Sequence, residues 1–84
     1  YDYFESTEHA KKYYSKAETV YQGLNDLKGL SWCDVFIGDI LEDENNNEEA
    51  EKRFYRAQRY FLSIQDSIGL ASTYEYLGNV YENK

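Results

Sequence analysis

A histidine followed three residues later by a lysine places a nucleophile and a cation on one face of a helix, and His9 and Lys12 have that spacing. Such a pair is suited to phosphoryl transfer, with an exposed imidazole taking the group and an ammonium one turn on steadying its charge. The alternative is an ordinary surface histidine. Asp43, Asn45 and Asn47 fall at the spacing of a calcium loop. However, Glu48 stands where the turn needs glycine, and Phe54 stands where the bidentate glutamate belongs. No metal and no other cofactor is expected. Cys33 has no triad partner in view and reads as a small buried residue. Lys52, Arg53, Arg56 and Arg59 form a basic ridge, read as a solvated face on which Glu49 pairs with Arg53 at i,i+4. A further reading makes the ridge a complement to the acidic surface of a second copy. With no Gly-rich phosphate loop, nucleophile elbow or paired metal motif, the chain is expected not to be an enzyme.

The elements that position these residues belong to a short, acidic chain. In 84 residues there are 16 acids against 9 bases, a formal charge of −7, which argues against nucleic acid and anionic membranes as partners. No apolar run exceeds three residues, as at Val35, Phe36 and Ile37, so no bilayer span is expected. One cysteine excludes an internal disulfide, and the absence of proline leaves helices unbroken. Ten tyrosines supply rings that pack while keeping one end wet. The lack of methionine suggests a piece of a longer protein, and a cytoplasmic setting is the expectation.

Laid over itself at an offset of 40, the chain shows nine identities: Glu8/Glu48, Ala10/Ala50, Lys12/Lys52, Ala17/Ala57, Asp26/Asp66, Gly29/Gly69, Leu30/Leu70, Gly38/Gly78 and Glu42/Glu82. Chance would give about three at ordinary residue frequencies, so the duplication is taken as real. Near-identities such as Tyr14/Phe54, Tyr21/Phe61 and Phe36/Tyr76 agree with it. In each copy Ala10, Tyr14, Ala17, Tyr21, Leu24 and their counterparts Ala50, Phe54, Ala57, Phe61, Ile64 step by 4, 3, 4, 3 along one helix face. A second pattern runs Leu30, Asp34, Ile37, Leu41 and Leu70, Tyr74, Leu77, Tyr81, so the tyrosines read as mortar between helices. Gly38 and Gly78 lie beside it. Because glycine costs about 1 kcal/mol in a helix, both imply a close helix crossing. Asp26, and Ser67 or Asp66, are N-cap candidates. The spacing predicts four helices, at about 4–24, 28–42, 47–65 and 68–83, and an all-α fold.

The run Leu77-Gly78-Asn79-Val80-Tyr81 resembles the LGxxY signature of tetratricopeptide (TPR) repeats, and Ala50, Phe54 and Ala57 resemble the second helix of such a unit. The likeness is to the roughly 40-residue class found in bacterial sensor and regulator proteins and in kinesin light chain. It covers nearly the whole chain and is specific for fold more than for function. It implies antiparallel helical hairpins of an α-solenoid, as one domain with a complete unit at about 29–66 flanked by half units 1–28 and 67–84. Asp34, where the family prefers a bulky residue, and Leu41, in place of tyrosine, depart from the pattern.

TPR arrays bind peptides in the groove lined by their first helices. The resemblance implies a groove at Trp32, Val35, Asp39, Ser72, Glu75 and Asn79, flanked by Phe36 and Tyr76. Its acidic residues argue against a clamp for a terminal carboxylate and imply a basic or amphipathic partner peptide. Trp32 has the alternative of packing between repeats. A fragment with open end helices is also expected to self-associate. The expected function is thus a protein–protein interaction module within a larger regulator or scaffold. Two alternatives stand beside it. One is a small phosphotransfer protein using His9, whose His-x-x-Lys resembles that of phosphotransfer helices but has Tyr13 where they carry glycine. The other is a purely structural segment.

Overall fold

The computed structural model describes residues 3–82, with side chains from Thr7 onward. Four helices follow one another: α1 (Tyr3–Leu24), α2 (Leu27–Asp43), α3 (Asn47–Ser63) and α4 (Ser67–Glu82). The fold is all-α, with no strand among the described residues. Successive helices pack on one another, and α2 also touches α4.

The three junctions share one construction. Asn25, Asn45 and Gln65 adopt left-handed backbone conformations at φ 54°, 63° and 58°. In each case that residue's N–H donates three residues back, and the next N–H donates five residues back. Asp26 N reaches Tyr21 O at 2.9 Å, Asn46 N reaches Leu41 O at 2.8 Å, and Asp66 N reaches Phe61 O at 2.9 Å. These bonds satisfy carbonyls that a helix end leaves without partners. The left-handed residue at Gln65 ends α3 at Ser63, two residues before the expected stop. At the first and third junctions the next helix is then capped by a carboxylate, whereas Asn46 before α3 makes no side-chain cap bond. Asp26 accepts from Gly29 N and Asp66 from Gly69 N, each at 3.0 Å, so Asp66 rather than Ser67 is the cap of α4.

The expected stripe on α3 is the core, since Ala50, Phe54, Ala57 and Phe61 are all fully buried. Their counterparts on α1, Ala10, Tyr14, Ala17 and Tyr21, are only half-buried, because the backbone of α1 packs closely on α2 and α1 reaches α3 only through the Glu18 side chain among the described residues. Leu24, at the end of that stripe, is exposed. The alternation of alanine and ring works through glycine on the facing helix. A Cβ on Gly29 would lie 2.4 Å from the Tyr21 ring, and one on Gly69 would lie 2.2 Å from the Phe61 ring. At Gly38 the Phe54 ring would be 2.7 Å away, so the close crossing inferred there is present. Gly78 differs from its counterpart: nothing lies within 4 Å of an added Cβ, and no helix crosses it. Tyr74 and Tyr81 are likewise exposed, and so are not mortar in this chain.

Candidate functional site

The residues singled out for a groove do not share one environment. Val35 is fully buried in a cluster with Ala57 and Phe61, so it belongs to the α2–α3 core and offers no surface to a ligand. Trp32 is half-buried. Its ring stacks on Phe36 at 5.9 Å and meets the edge of Phe61 at 5.2 Å, so it both packs between repeats and keeps an open side. Asp39 and Ser72 are half-buried, while Glu75 and Asn79 are exposed. Phe36, treated as a flank, is the more open ring and also stacks on Tyr14 at 5.3 Å.

Beside this aromatic pair, between α1 and α2, lies a pocket of about 360 Å³. Tyr14, Ala17 and Tyr21 form its α1 wall, and Gly29, Trp32, Cys33 and Phe36 form its α2 wall. Asp26 and Lys28 are its charged members. In the second hairpin the corresponding residues Ala57 and Phe61 are covered by Val35 and Trp32. Ala17 and Tyr21 are only half-buried, where Ala57 and Phe61 are fully buried.

Acidic residues converge where α2 meets α4. Burial raises the Tyr76 phenol above its usual range, and the charges of Asp39, Glu75 and Glu42 add to the rise. Asp39 is itself held above the usual carboxylate range, first by loss of water and then by Asp43. A cation arriving here would relieve both effects.

The basic ridge is not a solvated face throughout. Asp34, fully buried, accepts from Arg56 Nε at 2.7 Å, Arg56 Nη2 at 2.5 Å and Arg53 Nη1 at 3.0 Å. Glu18 of α1 accepts from Arg53 Nη1 at 2.7 Å and Arg56 Nη2 at 2.8 Å, closing a four-residue network of no net charge. The Asp34 hydrogen bond is the main cause that raises the Arg56 guanidinium pKa, against the loss of water on burial. Arg53 therefore turns inward to Asp34 and Glu18, and Glu49 pairs with Lys52 at 3.2 Å instead. Of the ridge, Lys52 and Arg59 are exposed, while Arg53 and Arg56 are half-buried. This is also what replaces the bulky residue missing at Asp34. The signal available in the sequence was a pair of arginines three apart on the helix facing the odd aspartate.

The remaining candidates occupy unremarkable surroundings. His9 and Lys12 are both exposed on α1. Cys33 is buried, and loss of water pushes its thiol up, with Glu18 and Asp34 adding to the rise, so it stays protonated and unreactive at neutral pH. In the acidic loop Asn45 is the left-handed turn residue, and Glu44 is held by Lys11 at 2.9 Å. Among the described residues no group of three or more His, Cys, Asp or Glu is placed to hold a metal ion. Nor is any helix among them long and apolar enough to cross a membrane. Comparison of the chain with protein-family models, with curated proteins and with solved structures found no match in any of the three.

Proposed function

We propose that this chain is a protein–protein interaction module of the TPR type, and that α2 and α4 present its binding surface. The ligand is a basic or amphipathic peptide or helix, and the role is binding rather than catalysis. The observation that carries this reading is the open aromatic pair Trp32 and Phe36 beside a largely apolar pocket, with Asp39 one helical turn past Phe36 and acting, as Glu75 does, on the Tyr76 phenol. Aromatic anchors next to unneutralised acids suit a partner with apolar residues and lysines on one helical face. The 40-residue repeat and the hairpin packing support the TPR assignment, with the unit at about 29–66 flanked by half units.

The test uses Trp32, the sole tryptophan, as its own reporter. Titration with an amphipathic Lys/Leu helical peptide should give a saturable change in its fluorescence that weakens with salt. Asp39→Asn combined with Glu75→Gln should weaken binding roughly tenfold. A flat titration to about 1 mM peptide, or binding indifferent to both salt and the double variant, would reject the reading.

A further inference from the structure

The repeat allows the open faces of the two end helices to be compared residue by residue with faces that are covered. On α2, the side toward α3 carries Asp34, Val35 and Gly38, all buried. Their counterparts 40 residues on, Tyr74, Glu75 and Gly78 of α4, are all exposed. On α3, the side toward α2 carries Arg53, Phe54 and Arg56, which meet Asp34 and Gly38. Their counterparts on α1 are Tyr13, Tyr14 and Lys16, of which Tyr13 and Lys16 are exposed. The α2–α3 interface thus exists once inside the chain, and its two halves recur unpaired at opposite ends.

We propose that a second copy of the chain covers them, its α1 docking on α4 in the register with which α3 docks on α2. The partner's chemistry follows from carrying each observed contact forward. Gly38 sits under the Phe54 ring, so the partner subunit's Tyr14 lies on Gly78, the glycine with nothing above it. The stack behind that ring is already in place in both hairpins: Tyr14 on Phe36 at 5.3 Å matches Phe54 on Tyr76 at 5.4 Å. Asp34 meets Arg53 and Arg56, so Tyr74 meets Tyr13 and Lys16 of the partner subunit. The buried ionic network is replaced there by rings and one ammonium, and Lys16 already lies 5.5 Å from the Tyr13 ring centre. Val35 covers Ala57 and Phe61, so Glu75 enters the pocket walled by Ala17 and Tyr21, where exposed Lys28, now 4.0 Å from Asp66, offers the opposite charge and the Asp26 carboxylate is engaged by Gly29 N. The contact is head to tail and uses two different surfaces, so it extends a chain of copies rather than closing a symmetric pair.

Sedimentation or light scattering from about 10 µM to about 1 mM reads this directly. The weight-average mass should rise with concentration past twice the 10.0 kDa of one chain. Gly78→Arg blocks the α4 face in open space, and Tyr13→Glu with Lys16→Glu blocks the α1 face without touching the core. Each variant, with helicity and melting no lower than the parent's, should associate at least about tenfold more weakly than the parent. Mixed together they should form a 1:1 dimer that grows no further, because one good face of each kind remains. A parent that stays at 10.0 kDa at about 1 mM overturns the proposal. So does a blocked variant that assembles like the parent, the mark of symmetric pairing, or a mixture that forms no dimer. Run on dilute protein, below the concentration at which any association is seen, the fluorescence titration of Trp32 reads peptide binding alone, so the two readings fail separately.

Discussion

Helices α2 and α4 begin alike and end differently. Each starts with an aspartate that caps a glycine N–H at 3.0 Å, and each carries that glycine against an aromatic ring from the helix before it. Five residues past the cap-bound glycine, at Asp34 and Tyr74, the two part. On α2 the outer face is closed by Phe54, Arg53 and Arg56. On α4 the matching Tyr74, Gly78 and Tyr81 are exposed, and the Tyr81 hydroxyl meets that of Tyr55. A repeat in sequence therefore reproduces the hairpin, because caps, left-handed junctions and ring-on-glycine contacts are local. The same repeat reproduces an interface only where the neighbouring unit is present. What distinguishes the faces chemically is Asp34 against Tyr74: one face is closed over a buried charge, the other is aromatic and exposed.

The sharpest way to break the comparison is at that charge. Asp34→Ala removes the acceptor of three guanidinium hydrogen bonds and leaves Arg53 and Arg56 sharing Glu18 alone. Removing one partner from a buried ionic network costs about 3–5 kcal/mol. Both arginines keep roughly a third of their side-chain surface in water, which brings the expected loss to about 3 kcal/mol. In a domain of this size that lowers Tm by roughly 10–20 °C by circular dichroism. Tyr74→Ala, the matching change on α4, should move Tm of dilute protein hardly at all. Equal losses at the two positions would mean that the buried network contributes nothing beyond the volume it fills.

The glycines give the next largest contrast, and the two effects have opposite signs. Gly38→Ala pushes a methyl to 2.7 Å from the Phe54 ring. That ring is fully buried and has nowhere to move, so the helices separate at a cost of about 1–3 kcal/mol. Gly78→Ala meets open space and simply improves helix propensity, stabilising dilute protein by up to about 1 kcal/mol. Urea denaturation at micromolar concentration measures both. A destabilising Gly78→Ala under those conditions would show that α4 is already covered in the monomer.

Much of this was legible in the residues before any coordinates, and the parts that were not share a cause. The four helices, the Asp26 cap and the α3 stripe follow from periodicity and capping chemistry, which act over a few residues. Which face of a helix is covered depends on a neighbour, and the pattern cannot say whether the neighbour is there. Hence Gly38 and Gly78, Leu41 and Tyr81, or Tyr14 and Phe54 look alike in sequence and differ in burial. Val35 was placed in the groove by family offsets although its apolar, β-branched side chain fits the core position it occupies. Arg53 and Arg56 were read as solvated because local pairing with Glu49 was available. The buried Asp34, 19 residues away in sequence, outcompeted it.

The smallest effect bears on the surface proposed for binding. Asp39, half-buried on α2, has its pKa raised by loss of water and by Asp43, so the folded chain takes up its proton at higher pH than the unfolded chain does. The penalty for keeping it ionised is fully present above the folded-state pKa and disappears as pH falls below the unfolded value. Asp39→Asn should therefore stabilise the protein slightly at neutral pH, with the advantage shrinking to nothing in acid, and thermal melts at pH 7 and at acidic pH read the difference. Glu75→Gln serves as the comparison, since that side chain is already in water and should leave stability unchanged at both pH values. A destabilised carboxylate one helical turn from an open aromatic ring, as Asp39 is from Phe36, is what a site for a cationic segment requires. The ligand then supplies the counter-charge that the fold withholds, and binding and folding draw on the same group in opposite directions. If Asp39→Asn gains stability and loses affinity for a basic peptide, the residue is held there for binding. A gain in stability with unchanged affinity would leave Asp39 as a local cost of the α2–α4 contact and move the peptide's charge recognition to Glu75.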